Sequence, residues 1–230
     1  MSTLPADVNG VNRDASSVGP ASDTDSGARS TYRHGDLRNA LIEAGLRLAA
    51  GGGPSAVVLR EATRQAGVSP NAAYRHFADR EHLLAAVSVR CLAFVASEIM
   101  KELAEHATDD DIGSQLDAVG RAYVRFALLE PGLFRTAFSV HVDPEAGRGA
   151  EDGGPGPFGL LLEVLDRAVV AGVLPPDRRP GAEVAAWSAV HGLAVLLLDG
   201  PLRSVPAEAR DALIERTVTT VRTGLFVQEG

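Results

Sequence analysis

Apolar residues recur along most of the chain at the three- and four-residue spacing of an amphipathic helix. Leu37, Leu41, Ala44 and Leu48 define the first apolar face, and this helix ends at the Gly-Gly-Gly-Pro run of residues 51–54. The same spacing predicts further helices at about residues 59–66, 80–106, 116–130, 133–138, 158–172, 178–199 and 207–226. No alternating strand pattern persists, so the sequence predicts an all-helical protein.

Composition divides the chain into three parts. Residues 1–31 are rich in Ser, Asp, Gly and Pro and show no apolar period, which predicts a disordered tail, and the helical pattern starts at Asp36. Residues 32–90 carry eight basic and five acidic side chains, whereas residues 91–230 carry 12 and 21, within a net charge of −8. The asymmetry indicates an anionic partner for the first helices only.

The length and the cysteine content narrow the class of protein. A chain of 230 residues can form one or two domains with a sizeable core, and its single cysteine fits a reducing cytoplasm. The N-terminal residues lack the apolar core of a signal peptide. The most hydrophobic stretch, residues 184–198, is too short to cross a bilayer and is typical of a buried helix. The sequence therefore predicts a cytoplasmic globular protein.

The segment AGVSPNAAYRHFADREHLL, residues 66–84, contains one helix end and two helix starts. Gly67 follows the last periodic residue of a helix, where a left-handed glycine commonly ends it. Ser69 is a favourable N-cap, Pro70 suits the first helical position, and Asp79 can cap the long helix that follows. Two short helices across a tight glycine turn form a helix-turn-helix, although a plain helical hairpin in a bundle has the same outline.

The run LREATRQAGVSPNAAYRHFADREHLL, residues 59–84, resembles the DNA-binding domain of the TetR family of bacterial repressors, and the resemblance extends back through residues 34–57. EPGLFRTAF and WSAVHG resemble the C-terminal regulatory domain that carries a Trp-His-Gly motif in some of these repressors. The resemblance implies a helix-turn-helix domain over residues 32–79 and a ligand-binding and dimerisation domain over residues 80–230. It implies a homodimeric repressor that binds operator DNA and a small-molecule effector.

The resemblance also implies roles for residues of the helix-turn-helix. Asn71 and Ala72 open the helix that enters the major groove, where Asn can pair with adenine and Ala can meet a thymine methyl. Tyr74 is expected on phosphate, with a core position as the alternative, and His76 is left open between phosphate contact and helix packing. Val58 stands where the family usually has Ser or Thr. The predicted DNA-binding residues are Arg60, Ser69, Pro70, Asn71, Ala72, Tyr74, His76 and Arg80.

Aromatic residues in the second part of the chain are candidates for a ligand pocket. They lie on the helices that surround the ligand in the resembled family, although each of them would also suit an ordinary core. Trp187 and His191 are one helical turn apart, and Tyr123 and His191 could orient a largely apolar ligand with one or two polar groups. The full predicted set is Phe94, Tyr123, Phe126, Phe134, Phe138, Trp187 and His191.

The last two helices are predicted to form the dimer interface. The helix at residues 178–199 is apolar nearly all round, so that one of its faces exceeds what a single subunit can bury. Together with the stripe on the last helix, it would build a four-helix bundle between two subunits. The predicted interface residues are Val190, Leu197, Ile214, Val218, Val221 and Leu225.

Other combinations of residues do not predict chemistry. His141, Asp143 and Glu145 have a spacing that could suggest a metal, but they lie beside a Gly/Pro loop without a second ligand cluster. No arrangement of Ser, His and acid indicates catalysis, so neither a metal, a cofactor nor an enzymatic activity is expected. Two alternatives stay open: a small-molecule-sequestering protein without operator function, and a helical-bundle enzyme.

Overall fold

The computed structural model describes residues 26–106, 111–140 and 154–226, with side chains over 37–105, 111–140 and 154–226. The chain divides into two compact units, Met1–Gly35 and Asp36–Gly230. In the first unit the described backbone is helical; all contacts given below lie in the second. The helices are α1 Ser26–Gly52, α2 Leu59–Ala66, α3 Pro70–Tyr74, α4 Arg80–His106, α5 Ile112–Leu129, α6 Pro131–Ala137, α7 Pro157–Val170, α8 Ala182–Leu198 and α9 Ala207–Leu225.

The described residues confirm an all-helical chain, and most helix bounds fall within a few residues of the prediction. The largest difference is at α1, which begins at Ser26 rather than Asp36. Residues 26–35 carry no apolar face, so periodicity cannot detect them, yet extending an existing helix costs far less than starting one. The rest of the predicted tail, residues 1–25, lies outside the described residues, as do His141, Asp143 and Glu145.

Two hydrophobic cores share the second unit. The first is built from α1, α2, α3 and the start of α4, with Leu41, Val57, Phe77 and Leu83 among its buried side chains. The second is a bundle of α5, α7, α8 and α9 together with the later turns of α4. Because apolar faces must be buried against another element, each group of helices closes its own core.

Helix α4 belongs to both cores. Its residues Leu84, Val87 and Cys91 are buried in the first core. The buried stripe then continues into the second core through Val95. Within the described ranges, α4 is the helix that length and composition would allow to cross a membrane. Here its stripe is instead covered by protein.

The short helix α6 contacts both cores as well. Ala137 lies in the first core, and Phe134 lies in the second. The Ser88 hydroxyl of α4 donates a buried hydrogen bond of 2.9 Å to the Ala137 carbonyl. A Cβ at Gly132 would lie only 2.2 Å from the carbonyl oxygen of Ala49, at the end of α1. This approach between α6 and α1 is therefore open only to glycine.

Candidate nucleic-acid interface and ligand pocket

The turn between α2 and α3 is closed by backbone hydrogen bonds. Gly67 is left-handed, at φ 67° and ψ 29°. Its N–H donates to the carbonyl of Arg64 over 3.3 Å, and the N–H of Val68 donates to that of Thr63 over 3.1 Å. This pattern satisfies the carbonyls left open at the end of a helix and turns the chain sharply. The predicted role of Gly67 is confirmed.

Side-chain caps start the next two helices. The Ser69 hydroxyl accepts a 3.3 Å hydrogen bond from the N–H of Ala72, and Pro70 occupies the first position of α3. The Asp79 carboxylate accepts 3.0 Å and 2.8 Å hydrogen bonds from the backbone N–H and the ring of His82, and these bonds hold the pKa of Asp79 below its usual range. Each cap satisfies a donor that a helix start leaves open. Ser69 therefore orients α3 through its hydroxyl.

The five residues of α3 divide clearly between core and solvent. Ala73 is buried, and Phe77, just beyond the helix, is buried with it. Tyr74 is 57% exposed, so the alternative that placed it in the core is wrong. Asn71 is exposed at the second helical position, and Pro70 is exposed beside it. The helix thus presents Asn71 and Tyr74 outward from a fixed base.

The two arginines of α2 differ in whether their charge is already paired within the helix. Arg60 is exposed at the second position of the helix. Arg64, one turn later, donates two hydrogen bonds of 2.9 Å and 2.6 Å to Glu61, and they lower the pKa of Glu61 to about 2. Its charge is therefore already balanced within the helix. Val58 precedes α2 and makes no side-chain cap, as its lack of a hydroxyl requires.

Two further arginines lie near α3. Arg80 is held at the start of α4, where its guanidinium donates over 2.7 Å to the Pro54 carbonyl and over 2.7 Å to Glu81. A guanidinium has five donors, so these bonds leave some for a phosphate. Sequence reasoning passed over Arg75, which is exposed directly after Tyr74. Because Arg75 lies between Tyr74 and His76, which were both predicted to bind DNA, its position in the sequence could have identified it as a further contact.

An apolar cleft opens inside the second core. Its empty space, including the mouth, is about 460 Å³. Of the predicted ligand-binding residues, Tyr123 and Trp187 line it. The lining residues are Ile99, Leu116, Val119, Gly120, Tyr123, Pro157, Leu161, Ala186, Trp187, Val190, Val218 and Val221.

Phe134, Phe138 and His191 pack beside this cleft against Tyr123 and Trp187. Tyr123 meets Phe134 edge-on, with ring centroids 5.5 Å apart, and Phe138 meets Trp187 and His191 at 6.0 Å and 5.1 Å. The Tyr123 hydroxyl lies 2.8 Å from Nδ1 of His191. Burial raises the pKa of Tyr123 well above its usual range and lowers the pKa of His191, so both rings are uncharged at neutral pH. Phe134 and Phe138 thus form one wall of the second core.

Two predicted pocket residues lie elsewhere, and one contributor was missed. Phe94 is 37% exposed on the outer side of α4, because it is one position off the buried stripe. Phe126 is buried, but it borders a second cleft between α4 and α5. Helix α5 is surrounded by neighbours, so its aromatics can be buried without facing the first cleft. Phe158, at the start of α7, lies 4.8 Å from the Trp187 ring and was not anticipated.

The predicted dimer residues need correction. Leu197, Ile214 and Val218 are buried in the core of their own subunit, so they have no surface to offer a partner. Val190 and Val221 line the cleft, and Leu225 packs on the same core. The apolar stripe of α9 packs mainly within its own subunit. Of these two helices, α8 is the one with large apolar side chains that are exposed.

Comparison with known proteins identifies the family. Residues 41–87 match the family model described as bacterial regulatory proteins, tetR family, and residues 116–221 match that described as tetracyclin repressor-like, C-terminal domain. The chain belongs to the TetR family. It is therefore a DNA-binding transcriptional regulator rather than an enzyme.

Solved structures share this TetR fold along most of the chain. A protein of unknown function from Rhodococcus sp. RHA1 is 26% identical, with a TM-score of 0.67 over 84% of this chain and 97% of its own. A TetR family regulator from Marinobacter aquaeolei VT8 is 23% identical, with a TM-score of 0.61 over 86% and 100%. A TetR variant from Acinetobacter baumannii AYE, in complex with minocycline, is 20% identical, with a TM-score of 0.57 over 80% and 93%. No curated protein matches the chain significantly.

The two arginines of α2 give a matched test of the interface. Arg60→Ala should weaken binding to a duplex from upstream of the protein's own gene by about 1–3 kcal/mol, because it removes a free cation. Arg64→Ala should cost less than half as much, because Glu61 already balances that charge. Fluorescence anisotropy at fixed salt measures both. Equal losses from the two variants would contradict this division.

Proposed function

We propose that this TetR family regulator represses transcription in the cytoplasm by binding a palindromic operator as a homodimer, and that a small, largely apolar ligand releases it. One observation carries the proposal. The capped helix-turn-helix and the apolar cleft contribute to two cores that share α4 and α6. In this proposal, residues 32–79 bind DNA and residues 80–230 bind the ligand and the second subunit.

Helix α3 is the proposed recognition helix, which contacts the bases of the operator. Asn71 and Ala72 face the floor of the groove, with Asn71 paired to adenine and Ala72 against a thymine methyl. Tyr74 and Arg80 contact the flanking phosphates, and Arg75 is added to this group because it is exposed beside Tyr74. Phosphate contacts fix the position of the protein on the duplex, whereas the base contacts select the sequence. Arg60 serves either purpose, and His76 keeps its two alternatives.

The second subunit is proposed to cover one face of α8. Val184 is 59% exposed, and Val195 and Leu196 are each 42% exposed. Ser188 and Gly192 lie on the same side of the helix, and a Cβ at Gly192 would meet nothing within 4 Å. These short side chains allow another helix to approach closely. A two-fold pair of such faces also suits a palindromic operator, whose half-sites repeat the symmetry of the protein.

Helix α6 is proposed to carry the signal. Its Phe134 and Phe138 touch His191 of α8, and its Arg135 donates two hydrogen bonds of 3.0 Å and 2.6 Å to Asp199 beyond α8. A ligand that separates Tyr123 from Trp187 would displace this aromatic wall and move α6 against α1 and α4. A coupling of about 1–3 kcal/mol would then weaken operator binding about 5–150-fold. Small-molecule binding has a precedent in this fold, since the Acinetobacter baumannii protein was solved with minocycline.

The direct test is binding to the region upstream of the protein's own gene. A dimer that neutralises about 6–10 phosphates should lose about three to five decades of affinity between about 50 and 200 mM salt. Asn71→Ala should relax the preference at one base pair in each half-site. Ligand binding without any preference for this DNA over a scrambled duplex would instead favour the small-molecule-sequestering alternative.

The dimer face has its own matched test. Leu196→Asp should yield monomers, because it buries an unpaired carboxylate within the proposed α8 contact. Val170→Asp is the control, since Val170 is 89% exposed at the end of α7 and is not part of α8. Sedimentation velocity at micromolar concentration distinguishes the two states. A dimeric Leu196→Asp variant would show that the subunits meet elsewhere.

A further inference from the structure

The lining of the apolar cleft offers almost no polar chemistry. Of its twelve residues, only Tyr123 and Trp187 carry a side-chain polar atom. The Tyr123 hydroxyl is already within 2.8 Å of His191 Nδ1. The indole N–H of Trp187 can only donate, and it already makes a side-chain hydrogen bond to Tyr123. Neither group supplies a full charge.

Charged side chains near the cleft form ion pairs with one another. Arg121, next to Gly120 on α5, donates to Glu215 of α9 over 2.7 Å. Asp117, one turn earlier, accepts from Arg222 of α9 over 2.9 Å. These ion pairs hold α5 against α9, on helices whose other residues line the cleft. The second oxygen of Asp117, Oδ1, is buried without a hydrogen-bond partner, but neither Asp117 nor Arg121 is among the residues that line the cleft. A ligand charge inside the cleft therefore meets no ionic partner in its lining.

We propose that the effector of this cleft is an uncharged lipophilic molecule, and that an ionised group of either sign excludes a compound from it. This inference rests on the proposed function and narrows its ligand to one chemical class. An ion moved into an apolar site without a partner loses its hydration and gains nothing in return. A single hydroxyl or carbonyl is tolerated better than an ion, because burying a neutral polar group costs far less than burying a full charge.

A matched series of probes tests, without DNA, the proposed exclusion of ionised compounds from the cleft, here called the charge rule. Trp187 is the only tryptophan of the chain, so its emission reports on the cleft. 1-Octanol should bind saturably at pH 7.4, whereas octanoate and octylammonium should bind at least ~100-fold more weakly. The inference is overturned if either ion binds as tightly as 1-octanol, or if none of the three compounds saturates the Trp187 signal.

A designed cation provides the reverse experiment. Val221 lines the cleft and is partly exposed, so a lysine there can lay its stem along the wall and keep its ammonium near the mouth. Val221→Lys should raise octanoate affinity at least ~10-fold, while Val170→Lys, outside the cleft, should leave it unchanged. No gain in Val221→Lys would show that something other than a missing counter-ion excludes the anion, and the inference would fail.

Operator binding, measured separately, keeps the two proposals distinguishable. If 1-octanol binds and the operator complex persists, the ligand class stands and the release mechanism fails for that compound. If an ionised probe binds the cleft and releases the operator, the release mechanism stands and the charge rule fails.

Discussion

The close contact between α6 and α1 is the constraint on which the rest of this structure depends. With Gly132 against the carbonyl oxygens of Ala49 and Ala50, α6 cannot shift toward α1 without meeting backbone. The buried Ser88 hydrogen bond fixes the same helix to α4. Because packed interiors are close to crystal density, a displacement of α6 must be passed to these neighbours rather than absorbed. The seven residues of α6 therefore connect the two cores alongside α4.

The two ends of this connection have opposite chemistry. At the DNA side, the glycine turn and the Ser69 and Asp79 caps satisfy the helix ends, which leaves Asn71, Tyr74 and Arg60 free to face outward. At the ligand side, the cleft is apolar and the one buried hydroxyl of its lining already has a partner. A capped, solvent-exposed helix-turn-helix and an apolar cleft are both suited to a regulator in which small-molecule binding changes DNA affinity.

Local chemistry made the helix-turn-helix predictable from the sequence. Gly67, Ser69 and Asp79 act through hydrogen bonds to residues at most four positions away, so their roles can be inferred from the neighbouring residues alone. The bundle was less predictable, because its faces depend on which helices meet. The stripe on α9 was assigned to a partner, but Ile214 and Val218 fill the subunit's own core. Phe94 differs from the buried Val95 by one position, which is enough to turn it toward solvent.

Amide hydrogen exchange with and without operator DNA tests the central claim, that α6 links the DNA-binding helices to the ligand cleft. The comparison uses the upstream duplex against a scrambled duplex of equal length, at the same salt concentration. We expect altered exchange in α6 and in the segments of α5 and α8 around Tyr123 and Trp187, as well as in the helix-turn-helix. Changes confined to α1–α3 and the first turns of α4 would contradict it.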